Sequence, residues 1–351
     1  MECRVFCLGC GRERHGLEAR CSHCGSPFDI EVSGKYSDRL QDNFPYVSRW
    51  ISLGEVQTPI VSAGGGADFK LDYLSPTFSY KDRGGARALV SFLRGGRMDH
   101  GTINEDSSGN AGAAIAAYGS AAGFRVRIFT GSRAREEKIR QIESYGGAEV
   151  VRVEGSREDV QRAAMGGADG GVYASHVLMP EFRDGIRTLA YEVFQQYSGS
   201  MPDRIFVPVS AGTLLLGLHR GGLRHLLESG EIGSMPEIVG VQPEKVSPIC
   251  HILEGRPYEP PVDGQSVADA LVTQKPVLGV QVAEAVRQTG GTCVMVSDEE
   301  IMSAHAELSR AGLFCEVSSA TVYAAYKKRK WQGGGRSSCS QGAGLKTVMG
   351  Y

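Results

Sequence analysis

Short apolar runs with the composition of buried strands alternate along this chain with stretches of helical periodicity. The strand-like runs cover residues 60–61, 67–73, 126–129, 150–153, 172–174, 205–209, 238–241 and 293–296. Helical stretches fall between them, among others at 135–145, 181–197 and 298–310. Because strands that alternate with helices build parallel sheets covered on both faces, this order predicts an α/β protein. Ligands in such folds bind at the carboxyl ends of the strands.

One lysine has an unusual setting. The segment 75–85 reads SPTFSYKDRGG, so Lys81 lies among small hydroxyl and glycine residues, after a proline turn and before the helix-forming run 86–93. Partial shielding from water favours the neutral amine, which is the form that attacks a carbonyl and holds it as a Schiff base. Taken alone, the segment fits a solvated lysine in a charge cluster better than it fits a nucleophile.

Two further segments favour the chemical interpretation. The run 105–112, EDSSGNAG, opens an alanine-rich helix at 113–122, and the buried-strand run 204–209, RIFVPV, is followed by SAGT and a second helical run. Small polar residues before a helix present free backbone N–H groups and the positive end of the helix dipole. Both loops therefore suit a carboxylate or a phosphate.

Neither loop is a nucleotide-binding motif. The chain contains no G-x-x-x-x-G-K-[ST] run, and no G-x-G-x-x-G follows a strand, so a dinucleotide site is unsupported. A lysine with two neutral anion loops instead indicates a small aldehyde cofactor that carries a phosphate, and a substrate with an acid group.

The motifs resemble those of the threonine synthases, a family of fold-type II pyridoxal-phosphate enzymes. That group also holds threonine dehydratase, cysteine synthase and the tryptophan synthase β chain. The family pattern P-T-G-S-F-K-D-R-G is matched over 76–84, except that Phe78 and Tyr80 differ. Further matches follow in family order at 107–111, 185–192, 239–243, 315–320 and 342–346. Six motifs in order make the resemblance specific.

The resemblance implies two parallel-sheet, three-layer domains of the tryptophan synthase β-like fold. It also implies a role for each matching residue. Lys81 would hold the cofactor as a Schiff base and then move protons as the catalytic acid–base group, and Asn110 would bind the ring hydroxyl of pyridoxal phosphate. The substrate carboxylate would lie on Ser107, Ser108 and Gly109, and the cofactor phosphate on Ser210, Ala211, Gly212, Thr213 and Leu214.

Three positions depart from the family pattern. The phosphate loop has Ser210 and Ala211 where the family commonly has glycines. Position 341 is Gln where a hydroxyl generally faces the pyridine nitrogen, so either Ser340 or Gln341 must take that place. Phe78 replaces a glycine close to the reacting lysine. The cofactor assignment tolerates all three changes, whereas the identity of the substrate depends on them.

The N-terminus carries two C-x-x-C knuckles separated by ten residues, formed by Cys7, Cys10, Cys21 and Cys24. A glycine follows each second cysteine, as a tight knuckle turn requires. Four thiolates at this spacing suit a structural zinc ion with tetrahedral geometry, and archaeal-type threonine synthases resemble this chain in having such a ribbon. Disulfide pairing of the knuckles is the alternative.

Composition restricts the partners and the location. The chain has 351 residues, a formal net charge of −2 and 41% apolar residues, so nothing indicates nucleic acid. No apolar stretch approaches the roughly twenty residues of a membrane span. The chain opens with no signal-peptide pattern, and Cys250, Cys293, Cys315 and Cys339 look isolated, so we expect a reducing, cytoplasmic location. The expected partners are a small amino-acid substrate and a second copy of the chain in a homodimer.

The expected organisation has three parts. A zinc ribbon spans 1–33, a large cofactor-binding domain spans 34–62 and 190–351, and a smaller domain with the lysine and the asparagine loop spans 63–189.

The implied reaction converts O-phospho-L-homoserine and water to L-threonine and phosphate, with Thr58 and Arg83 as candidate partners of the substrate phosphate. Arg83 fits a structural ion pair as well. The alternatives are another fold-type II reaction, such as threonine or serine dehydration or a β-replacement like that of cysteate or cysteine synthase, and a non-catalytic relative that recruits a partner through its ribbon.

Overall fold

The computed structural model describes residues 1–62, 66–98, 101–132, 134, 136–166 and 171–328, and the backbone of 337–341. The family motif at 342–346 lies outside these residues. The chain divides into two units, each with its own sheet. Unit 1 comprises Met1–Glu55 and Lys81–Thr188, and unit 2 comprises Val56–Tyr80 and Leu189–Tyr351. The elements below are numbered in chain order.

Twelve strands are found in the described residues: β1 (Glu2–Cys7), β2 (Phe28–Ser33), β3 (Ile60–Ser62), β4 (Ala67–Leu71), β5 (Thr102–Glu105), β6 (Arg125–Gly131), β7 (Ala148–Val153), β8 (Val172–Tyr173), β9 (Arg204–Pro208), β10 (Glu237–Pro243), β11 (Thr292–Val296) and β12 (Ser337–Gln341).

The α-helices of the same residues are α1 (Arg87–Arg94), α2 (Asn110–Ala121), α3 (Glu136–Ser144), α4 (Arg157–Met165), α5 (Pro180–Gly185), α6 (Thr188–Gln196), α7 (Thr213–Leu216), α8 (Arg224–Glu228), α9 (Pro248–Glu254), α10 (Gly279–Gln288), α11 (Asp298–Arg310) and α12 (Val317–Lys328). Two π-helical turns, Lys81–Ala86 and Gly217–Leu223, continue into α1 and α8, and short 3-10 turns occupy Leu40–Asn43, Asp72–Leu74 and Asp269–Leu271.

Unit 1 is built on a four-stranded parallel sheet in the order β7-β6-β5-β8. Helix α2 is buried along most of its length because its residues are small, and it packs against β6 and against the π-helical turn. The carboxyl end of β5 leads directly into the loop before α2. A separate antiparallel hairpin, β1-β2, carries the N-terminal cysteines of this unit.

Unit 2 is built on a six-stranded sheet in the order β11-β10-β9-β12-β4-β3. Every neighbouring pair is parallel except β3 and β4. The apolar side chains of β4, β9, β10 and β11 form one core with those of α11 and α12, among them Phe69, Phe206 and Val239. Parallel strands covered by helices are what the alternating sequence pattern predicts.

The α/β class and the parallel sheets are therefore confirmed, while some details of the fold differ. Strands β1, β2, β5 and β12 are not among the predicted strand-like runs. The expected helix at 181–197 is two helices, α5 and α6, separated at Arg187. The Arg187 guanidinium binds the Asp184 carboxylate at 2.6 Å and covers the ring of Phe44 at 4.3 Å, which fixes the break.

The boundaries of the two units also differ from the expected domains. Residues 34–55 belong to unit 1, because Trp50 stacks under the Arg87 guanidinium at 5.0 Å and the Ile51 N–H donates to Ser91 on α1. The described part of 63–80 belongs to unit 2, since β4 pairs with β3 and β12 in its sheet. These contacts and pairings join segments that are distant in sequence, so no local pattern indicates them.

The expectation of isolated cysteines is wrong for one pair. Cys250 on α9 and Cys293 on β11 form a disulfide, although 43 positions separate them in sequence. Sequence spacing alone cannot bring such a pair together, because only the packing of α9 beside β11 does so. Cys315 is buried and unpaired. The cysteine content therefore no longer supports a reducing compartment.

Among the described helices of the chain, none combines the length and the apolar content needed to cross a bilayer.

Candidate active site

The π-helical turn of unit 1 begins at Lys81. Its Nζ atom lies 5.7 Å from the centre of the Phe182 ring, so the amine rests against an apolar face. The neighbouring Asp82 and Arg83 are buried, whereas Lys81 itself is partly exposed. A lysine amine held beside an aromatic ring and still within reach of solvent has the setting that the sequence predicted for a nucleophile.

Close packing keeps this turn next to α5. A methyl group added at Gly85 would lie 2.6 Å from Cε1 of Phe182, well inside van der Waals contact. Because no larger residue fits, the glycine lets the turn lie directly on the aromatic ring below Lys81. The same turn packs against α2, the helix that the asparagine loop opens.

The asparagine loop is the open segment between a buried strand and a buried helix. Ser107, Ser108, Gly109 and Asn110 are all half-buried, and Asn110 is the first residue of α2. Within the described part of the chain, the backbone N–H groups of Ser107 and Ser108 meet no hydrogen-bond acceptor. Together with the amino end of a twelve-residue helix, these donors suit a carboxylate.

Gly112 allows this loop to fold onto the first turn of α2. A methyl group at this position would lie 1.9 Å from the carbonyl oxygen of Ser107 and 3.1 Å from Ile128. The contact is with backbone, which cannot rotate away as a side chain can. The asparagine loop therefore keeps its shape only with glycine at position 112.

Replacing Gly112 by alanine is expected to destabilise the protein, although alanine is better than glycine in a helix by about 1 kcal/mol. We expect a net loss of about 1–3 kcal/mol, as for other overpacked sites. Denaturant unfolding measures it. Gly131→Ala is the matched control, because a methyl group there would meet nothing within 4 Å. Equal stability of the two variants would contradict the role given to Gly112.

Unit 2 supplies the second loop. It follows β9 and contains the residues expected to bind the cofactor phosphate: Ser210, Ala211, Gly212, Thr213 and Leu214. Gly212 has a left-handed φ of 89°, and a methyl group there would lie 2.2 Å from Val282. The Ser210 hydroxyl is hydrogen-bonded to that of Thr273 at 2.7 Å. Glycine lets the backbone turn sharply at the end of the strand, so this loop can direct its backbone N–H groups at a phosphate.

Strand β12 places two more expected residues. Ser340 and Gln341 are its last residues, and β12 runs parallel to β9 and β4 in the sheet of unit 2. The carboxyl ends of β9 and β12 therefore meet at one edge of this sheet, where the 210–214 loop also begins. The expectation that one of the two residues faces the pyridine nitrogen stays a prediction.

Thr58 has a different environment from the expected one. Its side chain is buried, its hydroxyl donates to Asp72 at 3.1 Å, and its carbonyl accepts from Lys70 and Gln196 at 2.6 and 2.9 Å. Lys70 also binds Glu192 at 2.8 Å. This buried network does not support a contact between Thr58 and the substrate phosphate. Arg83 is buried as well, which agrees with its structural interpretation.

A buried pair that the sequence analysis did not identify lies at the carboxyl edge of the unit 1 sheet. Glu105 ends β5, and its Oε1 atom is 2.6 Å from Nδ1 of His176, which follows β8. Burial and the neighbouring Asp106 carboxylate raise the pKa of Glu105 well above its usual value. Burial and the charge of Lys81 lower the pKa of His176 to about 3. No local motif marks His176, because the pair forms only when β5 and β8 lie side by side.

The N-terminal cysteines form a separate cluster. The sulfur atoms of Cys7, Cys10, Cys21 and Cys24 all lie within 4.8 Å of one another. Tetrahedral zinc with Zn–S bonds of about 2.3 Å requires sulfur separations of about 3.8 Å, and the Cys10–Cys21 separation is 3.7 Å. Hydrogen bonds from Ser26 lower the pKa of Cys24 to about 6, which favours the thiolate that a metal binds. The donor set fits a zinc ion.

Comparison with known proteins agrees with this geometry. The model of the family described as "Pyridoxal-phosphate dependent enzyme" matches residues 51–339. A threonine synthase of Methanosarcina acetivorans is 28% identical over 92% of this chain and 85% of its own length.

Solved structures show the same fold. Maize serine racemase has a TM-score of 0.72 and 21% identity, and the match covers 88% of this chain and 94% of that one. The processed form of threonine deaminase isoform 2 from Solanum lycopersicum has a TM-score of 0.70 and 19% identity, with coverage of 91% and 88%. The resemblance drawn from the motifs is thus confirmed at the level of the family and the fold, and this chain belongs to the pyridoxal-phosphate-dependent enzymes.

Proposed function

We propose that the chain is a threonine synthase, which converts O-phospho-L-homoserine and water to L-threonine and phosphate. The observation that carries the proposal is the 28% identity to a threonine synthase over nearly the whole chain. The packing of the turn that begins at Lys81 against α2, the helix that the asparagine loop opens, supports it.

Pyridoxal phosphate, when bound, supplies the electron sink that makes the α and β carbons of an amino acid acidic. The remaining chemistry belongs to the protein. Lys81 would hold the cofactor and then carry protons between these carbons, because its amine lies at the edge of an apolar face. The loop 107–109 would orient the substrate carboxylate, and Asn110 would hold the ring hydroxyl. In unit 2, the 210–214 loop would bind the cofactor phosphate.

The proposal includes a structural zinc ion on Cys7, Cys10, Cys21 and Cys24. The separations between their sulfur atoms support it. A zinc ion with four cysteine ligands has no open position, so it would stabilise the ribbon and take no part in the reaction. A homodimer and a cytoplasmic location remain part of the proposal.

A second fold-type II reaction is the alternative. The structural match to a serine racemase and a threonine deaminase favours neither reaction, because at 21% and 19% identity it shows the fold alone. Dehydration, racemisation and β-replacement all use a lysine and an asparagine loop. The proposed reaction releases phosphate from its substrate, whereas dehydration of threonine or serine removes a hydroxyl group.

The purified, cofactor-loaded protein is expected to release phosphate from O-phospho-L-homoserine and to form L-threonine. Its kcat/KM for this reaction should exceed that for keto-acid formation from L-threonine by at least about 100-fold, since a site built for a phosphate leaves its donors unpaired with a hydroxyl substrate. A phosphate-release assay and a coupled keto-acid assay measure the two rates. Keto-acid formation at the higher rate would identify a dehydratase instead.

A further inference from the structure

The Glu105–His176 pair has no role in the function proposed above, although it lies beside the reacting lysine. The Glu105 side chain is fully buried and that of His176 is 15% exposed. Glu105 holds the imidazole from two directions, because its Oε1 lies 2.6 Å from Nδ1 and its Oε2 accepts the backbone N–H of His176 at 3.2 Å. The ring therefore has one orientation, and its other nitrogen, Nε2, meets no partner in the described residues.

The proton content of the pair makes Nε2 a donor. Burial and the charge of Asp106 raise the pKa of Glu105, while burial and the charge of Lys81 lower the pKa of His176 to about 3, so both shifts favour a proton on Glu105 and a neutral imidazole. If the proton stays on Glu105, the carboxyl O–H donates a hydrogen bond to Nδ1, and Nε2 carries the ring hydrogen. If the proton moves to Nδ1, Nε2 still carries its own hydrogen. Either arrangement presents an N–H group to whatever occupies the space next to the ring.

The charges around the pair favour an anion there. Lys81 and His176 both lie against the Phe182 ring, the lysine at 5.7 Å and the imidazole at 6.1 Å between centroids. The Asp106 carboxylate forms an ion pair with the Arg157 guanidinium, with an N···O distance of 2.6 Å. Glu105, Asp106 and His176 are close enough to chelate a cation, but Arg157 already pairs with Asp106, and the remaining positive charge of Lys81 disfavours a cation there.

We infer that His176 donates its Nε2–H to the phosphoryl group of the substrate and so selects phosphorylated over hydroxyl substrates. The inference rests on the proposed function. Two features favour this occupant over the substrate carboxylate. The carboxylate has its own hydrogen-bond donors in the 107–109 loop. The phosphoryl group was expected to accept a hydrogen bond from Thr58, but the Thr58 hydroxyl donates to Asp72 instead, so the phosphoryl group needs another donor. Lys81 adds a positive charge on the same side of unit 1.

The test compares two probes that share an amine, a carboxylate and a carbon chain. One is the phosphonate analogue of O-phospho-L-homoserine, and the other is L-norvaline, which has no anionic tail. Titrations are followed by the absorbance of the bound cofactor. His176→Leu is expected to weaken phosphonate binding about 10- to 100-fold, the effect of losing a hydrogen bond to a charged group, and to change norvaline binding less than about 3-fold. His176→Gln, which keeps an N–H donor, should recover part of the phosphonate affinity.

His225→Leu is the matched control. This histidine is also buried, with Nδ1 held by Tyr191 at 2.6 Å, but it belongs to unit 2, and its loss should leave the ratio of the two dissociation constants unchanged. An equal loss for both probes in His176→Leu, or no loss, overturns the inference. So does binding of Mn²⁺ that depends on His176. A wild-type protein that does not prefer the phosphonate would instead contradict the proposed substrate itself.

Discussion

Replacing Lys81 by alanine is expected to abolish the visible absorbance of the covalently bound cofactor and to lower turnover below about one thousandth of the wild-type rate. The amine is the only group on the π-helical turn that can form a covalent bond with an aldehyde, and it lies against the Phe182 ring at the amino end of that turn. Its loss removes both the attachment and the proton carrier. An absorbance spectrum and a phosphate-release assay on the same sample report the two effects separately.

Two further variants separate the chemistry from the charge. Lys81→Arg keeps a positive side chain but has no amine that can attack an aldehyde, so it should be as inactive as the alanine variant. Lys275→Ala removes an exposed lysine of unit 2 and should retain the wild-type spectrum and rate. A Lys81→Ala protein that keeps full activity would contradict the assignment of the site and, with it, the proposed reaction.

Local motifs predicted the parts of this site that depend on neighbours in sequence. Lys81, the asparagine loop and the paired cysteine knuckles each need only a short segment to take its geometry. The glycines of the knuckles, Gly11 and Gly25, have φ angles of 71° and 72°, as a tight turn requires. Phe78 takes a left-handed φ of 64° at the position where the family pattern has glycine, a conformation that strains a residue with a side chain.

Features that depend on distant segments could not be predicted in this way. His176 meets Glu105 only through the pairing of β5 with β8, and Cys250 meets Cys293 only through the packing of α9 beside β11. Strand β12 escapes a pattern-based prediction because this five-residue strand in the middle of a sheet has no apolar run of its own. Thr58 matches a family motif, yet its hydroxyl is given to Asp72, a contact that no motif encodes.

The cysteine ribbon contacts the site of unit 1 through α5. Arg14 of the ribbon forms an ion pair with Glu181, and both side chains are almost fully buried. Arg183 donates to the backbone carbonyl of Phe28 and lies 3.5 Å from Asp29. The residue between these two partners on α5 is Phe182, on which Lys81 rests. A folded ribbon therefore stabilises α5, the helix whose Phe182 ring contacts the Lys81 amine.

Replacing Cys21 by serine is therefore expected to do more than remove a metal ligand. Cys21 is buried with Cys7 and Phe28, so losing the zinc ion should unfold the ribbon, take Arg14 away from the Glu181 carboxylate and remove the contacts of Arg183 with Phe28 and Asp29. A buried charge that loses its partner costs about 3–5 kcal/mol, which we expect as the loss in the free energy of unfolding of unit 1. A colorimetric zinc assay, denaturant unfolding and hydrogen exchange of residues 1–33 measure the consequences in turn.

Cys3→Ser is the matched control, because Cys3 lies on β1 outside the four-sulfur cluster and is exposed. It should keep one zinc ion per chain and wild-type stability. Chelation of the wild-type protein should reproduce the Cys21→Ser phenotype, since both remove the same ion. If Cys21→Ser unfolds at the wild-type denaturant concentration with its zinc content intact, the cysteines do not form a metal site. If the zinc is lost while stability and exchange near α5 are unchanged, the ribbon is an independent element and the contacts of Arg14 and Arg183 do not transmit its order.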